Sequence, residues 1–260
     1  YGWGTMHVLL IDGLNLIRRI HAGVPRLEDL DKHNQTLRNA CESSLRRALR
    51  YHQPSHVICA MDTEEPSWRD GIFPDYKKNR RPMPDDLRSQ LERIISRFNT
   101  IGVGTVSVDG FEADDLIASI ASKAIEGSAS VTILSTDKSF CQLVSDRVHV
   151  YDHFSSCRHD ENYIREKFGV DAARLVDLFA LAGDSSLNIP GARGIGLRTA
   201  AKLIREYSDL EAVLVAVENT SLSWAKKIRA SEQSIKLSRC LVRLRSDVSI
   251  GVNLRDFRLN

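Results

Sequence analysis

Three short apolar runs each close on an aspartate: His7–Asp12 (HVLLID), His56–Asp62 (HVICAMD) and Ser130–Asp137 (SVTILSTD). A denser acidic group follows in Phe111–Asp115 (FEADD), where Glu112, Asp114 and Asp115 crowd together, and Asp184 comes after an apolar stretch ending at Ala182. A single aspartate at a strand end commonly opens a turn, and an acidic residue at a helix start caps free N–H groups. FEADD holds more carboxylates than capping uses, and like charges this close raise one another's pKa unless cations neutralise them. Oxygen ligands without neighbouring histidine or cysteine select Mg²⁺ or Mn²⁺ over zinc. Carboxylates around such ions suit phosphodiester hydrolysis, because the metal lowers the pKa of an attacking water and stabilises charge on the phosphate. The histidines (His21, His52, His56 and His153 among them) form no visible catalytic constellation and read as isolated surface or core residues.

The elements that must hold these groups follow from periodicity. The aspartate-ended runs are continuous and β-branched, as strands buried on both faces are. Val103–Val108 and Val148–Tyr151 read as further strands. Between them, Leu37, Cys41, Leu45 and Leu49 repeat at helical spacing, as do Leu87, Leu91, Ile94 and Phe98, and Leu116, Ile120 and Ala124. This alternation predicts an α/β body with a mostly parallel sheet, whose strand C-termini lie along one edge and bring the aspartates together there. After about Asp160 the strand signals stop. Asp171–Ala182, Leu197–Tyr207, Leu210–Val217 and Trp224–Leu244 read as helices, so the expected division is a body over 6–160 and a helical subdomain over 161–260. Tyr1 to Thr5 precede a methionine and read as a foreign remnant.

Composition is that of a globular protein: 42% hydrophobic and 27% charged residues, with a net charge of +2. No apolar run reaches membrane-spanning length, no signal-peptide pattern opens the chain, and the five cysteines are scattered without paired spacing. These features point to a reducing cytoplasm and argue against a disulfide framework. Basic residues cluster at Arg69–Arg81, Arg193–Arg205 and Lys226–Arg245, flanking the acidic centre, as suits a protein that holds phosphate backbones. Trp68–Asp86 mixes aromatics, prolines and basic residues and is too polar for core. Ile189–Ala200 (IPGARGIGLRTA) is a glycine-rich turn between helices, followed by Arg198, Lys202 and Arg205. Glycines let backbone approach a phosphate, and the next helix aims its free N–H groups at it, so the turn reads as a helix–hairpin–helix that grips duplex DNA without reading bases.

Taken in order, IDGLNLIRR, YKKNRRPMPDDL, FEADDL, LSTDKSFCQLV and AGDSSLNIPGARGIGLRTA resemble the 5′-nuclease/flap endonuclease superfamily across nearly the whole chain. The likeness extends to its stand-alone bacterial members and to the nuclease domain of DNA polymerase I. The resemblance implies a PIN-like α/β body, a helical arch over about 68–98 and a helix–three-turn–helix over 175–207. It implies a Mg²⁺-dependent enzyme that cuts 5′ flaps in branched DNA during replication or repair, acting as a monomer with a functional link to DNA polymerase I. Asp12, Asp62, Glu112, Asp114 and Asp115 would form the first metal site, and Asp137 and Asp184 would belong to the second. Tyr76, Lys77 and Arg81 would meet the single-stranded 5′ end at the arch base, with Lys77 also catalytic. Backbone carbonyls of Leu181, Ala182, Pro190, Ala192 and Ile195 would hold K⁺, and Gly194, Ile195, Gly196, Leu197, Arg198, Thr199 and Lys202 would contact duplex DNA. In two places the chain departs from the family pattern. Ser139 stands where TDKD ends in aspartate, and Leu187 where GDSSDN has its second aspartate, so the second metal site keeps two of four carboxylates. A branched-DNA-binding protein with impaired catalysis is therefore the main alternative. A PIN-like ribonuclease is a further one, disfavoured by the hairpin.

Overall fold

The computed structural model describes residues 6–259; the proposed remnant Tyr1 to Thr5 lies outside the described residues, as does Asn260. The elements are β1 (His7–Asp12), α1 (Gly13–Gly23), α2 (Leu30–His52), β2 (His56–Ala60), α3 (Trp68–Ile72), α4 (Asp85–Arg88), α5 (Leu91–Thr100), β3 (Gly104–Val106) and α6 (Ala113–Glu126). They continue through β4 (Ser130–Leu134), β5 (Val148–Asp152), β6 (Cys157–His159), α7 (Glu161–Phe168), α8 (Leu175–Ala182), α9 (Leu197–Tyr207), α10 (Leu210–Glu218), α11 (Ser223–Ala230) and α12 (Glu232–Val242).

The strands form one sheet in the order β3-β2-β1-β4-β5-β6. Every pairing is parallel except β5 with β6. β1 is central, with Leu10 opposite Ile58 on one side and Ile133 on the other. Strand residues alternate between two cores, as the two-residue period requires. Val8, Leu10, Ile58, Val131 and Ile133 pack with α6 and the C-terminal helices, whereas Leu9, Ile11, Val57 and Cys59 pack with α1, α2 and α5. Burial on both faces is why these strands read as unbroken apolar runs. The chain winds outward from β1 in one direction through β2 and β3 and in the other through β4 and β5. The crevice beyond the β1 and β4 C-termini is thus a switch point, where open α/β sheets bind ligands.

The C-terminal helices continue the first core. Leu178, Leu181, Val213, Ile228 and Leu241 belong to the same buried cluster as Val131 and Ile133. Arg69 on α3 adds a polar tie between the regions: Nε and Nη2 donate to the carbonyls of Leu241 and Arg243 while the guanidinium holds Asp115 on α6.

Several expected elements are divided. Trp224–Leu244 is two helices, broken at Ser231, whose buried hydroxyl accepts from Arg193 N at 3.2 Å and so anchors the glycine turn. The repeat Leu87–Phe98 spans α4 and α5, and Asp171–Ala182 begins with a 3₁₀ turn before α8. β3 is shorter than the expected run. The antiparallel edge strand β6 has no clear apolar alternation to announce it.

Candidate metal centre and nucleic-acid interface

A cleft of about 360 Å³ lies beyond the β1 and β4 C-termini, lined by Asp12, Asp62, Asp114 and Asp137. Asn15, Arg18, Lys77, Arg80 and Arg81 also border it. Asp12 ends β1 and caps α1, accepting from Asn15 N at 3.2 Å and from the Ser135 hydroxyl at 2.8 Å. The next residue must be glycine: a Cβ on Gly13 would sit 2.9 Å from the Ala60 carbonyl oxygen, because α1 leaves β1 hard against β2. Burial pushes the Asp12 carboxyl up to about 7; the Ser135 hydrogen bond opposes this, and the charges of Asp137 and Asp62 reinforce it. Asp62, just past β2, accepts from Ala113 N at 2.7 Å and so binds the start of α6. That places Asp114 beside it. Asp114 is held well above the usual carboxylate range, first by burial and then by Asp137, Asp12 and Glu112, with Lys77 pulling the other way. Asp137 follows β4 and accepts from Ser139 N at 2.8 Å.

This arrangement fits a divalent cation. Carboxylates buried and crowded enough to resist ionisation are what a metal ion neutralises. The pull of Lys77 on Asp114 does not outweigh burial and the neighbouring carboxylates that raise it. Among the described residues no histidine or cysteine lines the cleft, so the donors are hard oxygens.

Other expected ligands face elsewhere. Asp115 is fully buried and turned away from the cleft. Its oxygens accept from both Arg69 Nη atoms at 2.7 and 2.8 Å, from Trp68 Nε1 at 2.9 Å and from Arg245 N at 2.9 Å. It is an internal anchor, because successive residues at a helix start point in different directions and only Asp114 points outward. Glu112 is a bridge: it pairs with Arg69 Nη1 at 2.8 Å, accepts from the Tyr76 hydroxyl at 3.1 Å and pairs with the Lys77 ammonium. Asp184 does not line the cleft. Its Oδ2 pairs with Lys138 Nζ at 2.9 Å, and its Oδ1 accepts from Ser186 N and Oγ. The Ser139 hydroxyl is buried with no hydrogen-bond partner among the described residues, and the Leu187 side chain packs against the core.

The basic side departs from expectation at Tyr76. It is 5% exposed, with its hydroxyl committed to Glu112, so its ring supports the segment instead of offering a stacking face. Lys77 occupies the left-handed backbone region at φ 54°, a conformation costing a non-glycine residue about 1–3 kcal/mol, and its N–H donates to the Leu187 carbonyl at 2.9 Å. The backbone of Leu187 thus positions Lys77 although its side chain offers no ligand. Arg18 Nη2 holds the carbonyls of Arg81 and Pro82 at 3.1 and 3.2 Å. Sequence reading missed Arg18, Arg80 and Asn15. Asn15 was identifiable only through its three-residue spacing from Asp12; it bonds Thr136 through both side-chain atoms.

At the glycine turn, Gly191 has φ 62°, and a Cβ there would lie 2.3 Å from Gly183 N, so two backbone segments touch directly. Ser238 Oγ accepts from Gly191 N, and Ser234 Oγ donates to its carbonyl. Gly194, Gly196, Leu197, Arg198, Thr199 and Lys202 are exposed, and among the described residues no side chain caps the N-terminus of α9; the Ile195 side chain is buried. Of the carbonyls expected around K⁺, that of Leu181 accepts from Ala192 N and that of Ala192 from Ile195 N, leaving one lone pair on each. Ala182 is half-buried and Pro190 exposed.

The fold, the acidic switch-point cleft and the glycine hairpin coincide with a known class. Residues 7–169 match the 5′-3′ exonuclease N-terminal resolvase-like domain, and residues 170–260 match the 5′-3′ exonuclease C-terminal SAM fold. The chain belongs to the 5′-3′ exonuclease family. It is 38% identical over 252 residues to Flap endonuclease Xni of Shewanella putrefaciens, covering 97% of this chain and 94% of that protein. It is 39% identical over 269 residues to Flap endonuclease Xni of Colwellia psychrerythraea, covering 98% and 92%. Among solved structures, T5 5′-exonuclease with bound zinc has the same fold, with a TM-score of 0.79, 22% identity and coverage of 91% and 89%. The catalytic core of Rad2 in complex with DNA substrate matches with a TM-score of 0.60, 15% identity and coverage of 98% and 83%. No helix among the described residues is long and apolar enough to cross a membrane.

Proposed function

We propose that this chain is a structure-specific 5′ flap endonuclease that hydrolyses phosphodiester bonds near the single-strand/duplex junction of branched DNA, with Mg²⁺ as its working ion and Mn²⁺ as a substitute. The observation that carries this reading is the convergence of Asp12, Asp62, Asp114 and Asp137 on one cleft that Lys77, Arg80 and Arg81 also line. The names of the relatives support it. Those four carboxylates would hold the metal, with Glu112 acting through Lys77. The ion would supply an activated water and charge neutralisation at the scissile phosphate. The chain's own part is positioning. Lys77, held by Glu112 and by the Leu187 carbonyl, presents an ammonium toward the phosphate, and Arg80 and Arg81 bind the neighbouring backbone. Arg198, Lys202 and the uncapped α9 N-terminus grip the duplex phosphates, with K⁺ at the hairpin carbonyls as a further bridge.

The pairing of Asp184 with Lys138 favours a second reading, a branched-DNA-binding protein with weak catalysis. An ammonium at Asp184, together with Ser139 and Leu187, depletes the second metal site. Cleavage of a 5′-labelled flap DNA across a Mg²⁺ titration separates the two. Junction cutting that rises with Mg²⁺ and stops with a chelator supports the nuclease. Tight flap binding with no cutting at any Mg²⁺ or Mn²⁺ concentration supports the binding protein.

A further inference from the structure

At the far end of α1 from the acidic cleft, three side chains from three helices meet. His21 lies in the last turn of α1, His33 near the start of α2, and Asp86 in the first turn of α4. His21 Nε2 lies 3.0 Å from Asp86 Oδ2, His33 Nε2 lies 4.0 Å from the same oxygen, and one ligand atom from each residue lies within 4.8 Å of the others. Tetrahedral zinc with bonds near 2.0–2.1 Å separates its ligands by about 3.3 Å, so sub-ångström to ångström-scale side-chain shifts suffice. The site is sheltered, with side-chain exposures of 13% for His21, 6% for His33 and 28% for Asp86.

We propose that His21, His33 and Asp86 bind a transition-metal ion of the zinc class, at a site separate from the acidic cleft. Two imidazoles and a carboxylate with a fourth position left for water form a borderline-soft donor set that suits zinc or cobalt and disfavours Mg²⁺. The ring of His33 is already oriented. Its Nδ1 lies 3.2 Å from the Pro25 carbonyl, which fixes the proton on Nδ1 and turns the Nε2 lone pair toward Asp86. This is the outer-shell bond that metal-binding histidines use. A simple hydrogen-bonded strap between α1 and α4 needs only His21 and Asp86, and gives no reason for a second, buried imidazole aimed at the same oxygen.

The location gives such an ion a consequence. Asp86 comes after Pro82–Asp85 at the end of the basic stretch that borders the cleft, and Arg18, one turn before His21 on α1, already holds the carbonyls of Arg81 and Pro82. A metal joining α1, α2 and α4 would pin the exit of that stretch to the body of the protein, fixing the position of Arg80 and Arg81 without touching the carboxylate cleft.

The test uses the full chain stripped with a chelator, then titrated with Co²⁺ in excess Mg²⁺ so that the acidic cleft is already filled. The expected result is one Co²⁺ per chain with visible absorption of a nitrogen-containing low-coordinate site, displaced by Zn²⁺, together with a zinc-dependent rise in melting temperature. His33→Ala and His21→Gln should each weaken binding at least tenfold while far-UV circular dichroism is unchanged, and Asp114→Ala should bind as the unmodified protein does. Absence of the Co²⁺ spectrum from the unmodified protein overturns the proposal. So does undiminished binding by both folded histidine variants, or loss of the signal in Asp114→Ala.

Discussion

Replacing Arg69 by methionine tests whether Asp115 is an internal anchor or a metal ligand. The guanidinium is 1% exposed and donates five hydrogen bonds: two to Asp115 and one each to Glu112, Leu241 O and Arg243 O. Burial alone works against its charge, and the carboxylates of Asp115 and Glu112 more than reverse that, raising its pKa. Removing it leaves Asp115, itself fully buried, as an uncompensated carboxylate with Trp68 Nε1 and Arg245 N as its remaining donors among the described residues. Breaking such a pair from one side costs about 3–5 kcal/mol, far more than an exposed ion pair is worth. Summing the five bonds separately would overshoot, since each trades against solvation of the same two ions. Urea unfolding of Arg69→Met should therefore show a midpoint lowered by the equivalent of about 3–5 kcal/mol. Asp115→Asn should also destabilise, and the double variant should lose less than the sum of the two, by roughly 2 kcal/mol, because the residues share one interaction. Under conditions where it is folded, Asp115→Asn should retain metal-dependent cutting. A loss below about 1 kcal/mol in Arg69→Met, or strict additivity, refutes the anchor; abolished cutting by folded Asp115→Asn makes Asp115 a ligand.

Burial, followed by the charges of His7 and His153, lowers the His52 pKa from 6.5 to about 4. Its folded value lies below its unfolded one, so its contribution to stability is complete above pH 6.5 and is lost as pH falls toward 4. Melting temperature should drop across that window, and His52→Gln should show a shallower drop in the same buffers; parallel curves would remove His52 from the account. Ser139→Asp with Leu187→Asp should lower the Mg²⁺ needed for half-maximal cutting roughly tenfold, the scale of one charge-assisted contact of about 1.5 kcal/mol. An unchanged Mg²⁺ dependence would mean that the missing carboxylates are not what limits this chain. Arg198→Ala and Lys202→Ala should each weaken binding to a duplex-containing flap and reduce the slope of log affinity against log salt by about one, measured by fluorescence anisotropy; an unaltered slope would place the phosphate contacts elsewhere.

What the sequence reveals and what it conceals divide along physical lines. The strand runs are legible because both faces of β1, β2 and β4 are buried, so nearly every residue is apolar. Asp12, Asp62 and Asp137 are legible as a group because parallel strands necessarily end along one edge. Asp115 is not, since its orientation depends on Arg69 and Arg245, which only the folded chain brings near. Tyr76 misleads for a related reason: an aromatic among lysines and arginines looks exposed until Glu112 takes its hydroxyl. The break at Ser231 coincides with a bond from Arg193 N, which lies far from it in the sequence and which no local propensity signals. His21, His33 and Asp86 look isolated along the chain because three separate helices must pack before they meet.

On the proposed reading, the cleft carboxylates perform metal-dependent hydrolysis while DNA binding resides elsewhere. Cleavage and binding of a 5′-labelled flap DNA by the unmodified chain and by Asp114→Asn separate the two roles. The unmodified chain should cut at the junction, and the variant should lose that cutting by at least about a hundredfold while flap affinity stays within a few-fold. Equal cutting by both proteins would contradict it.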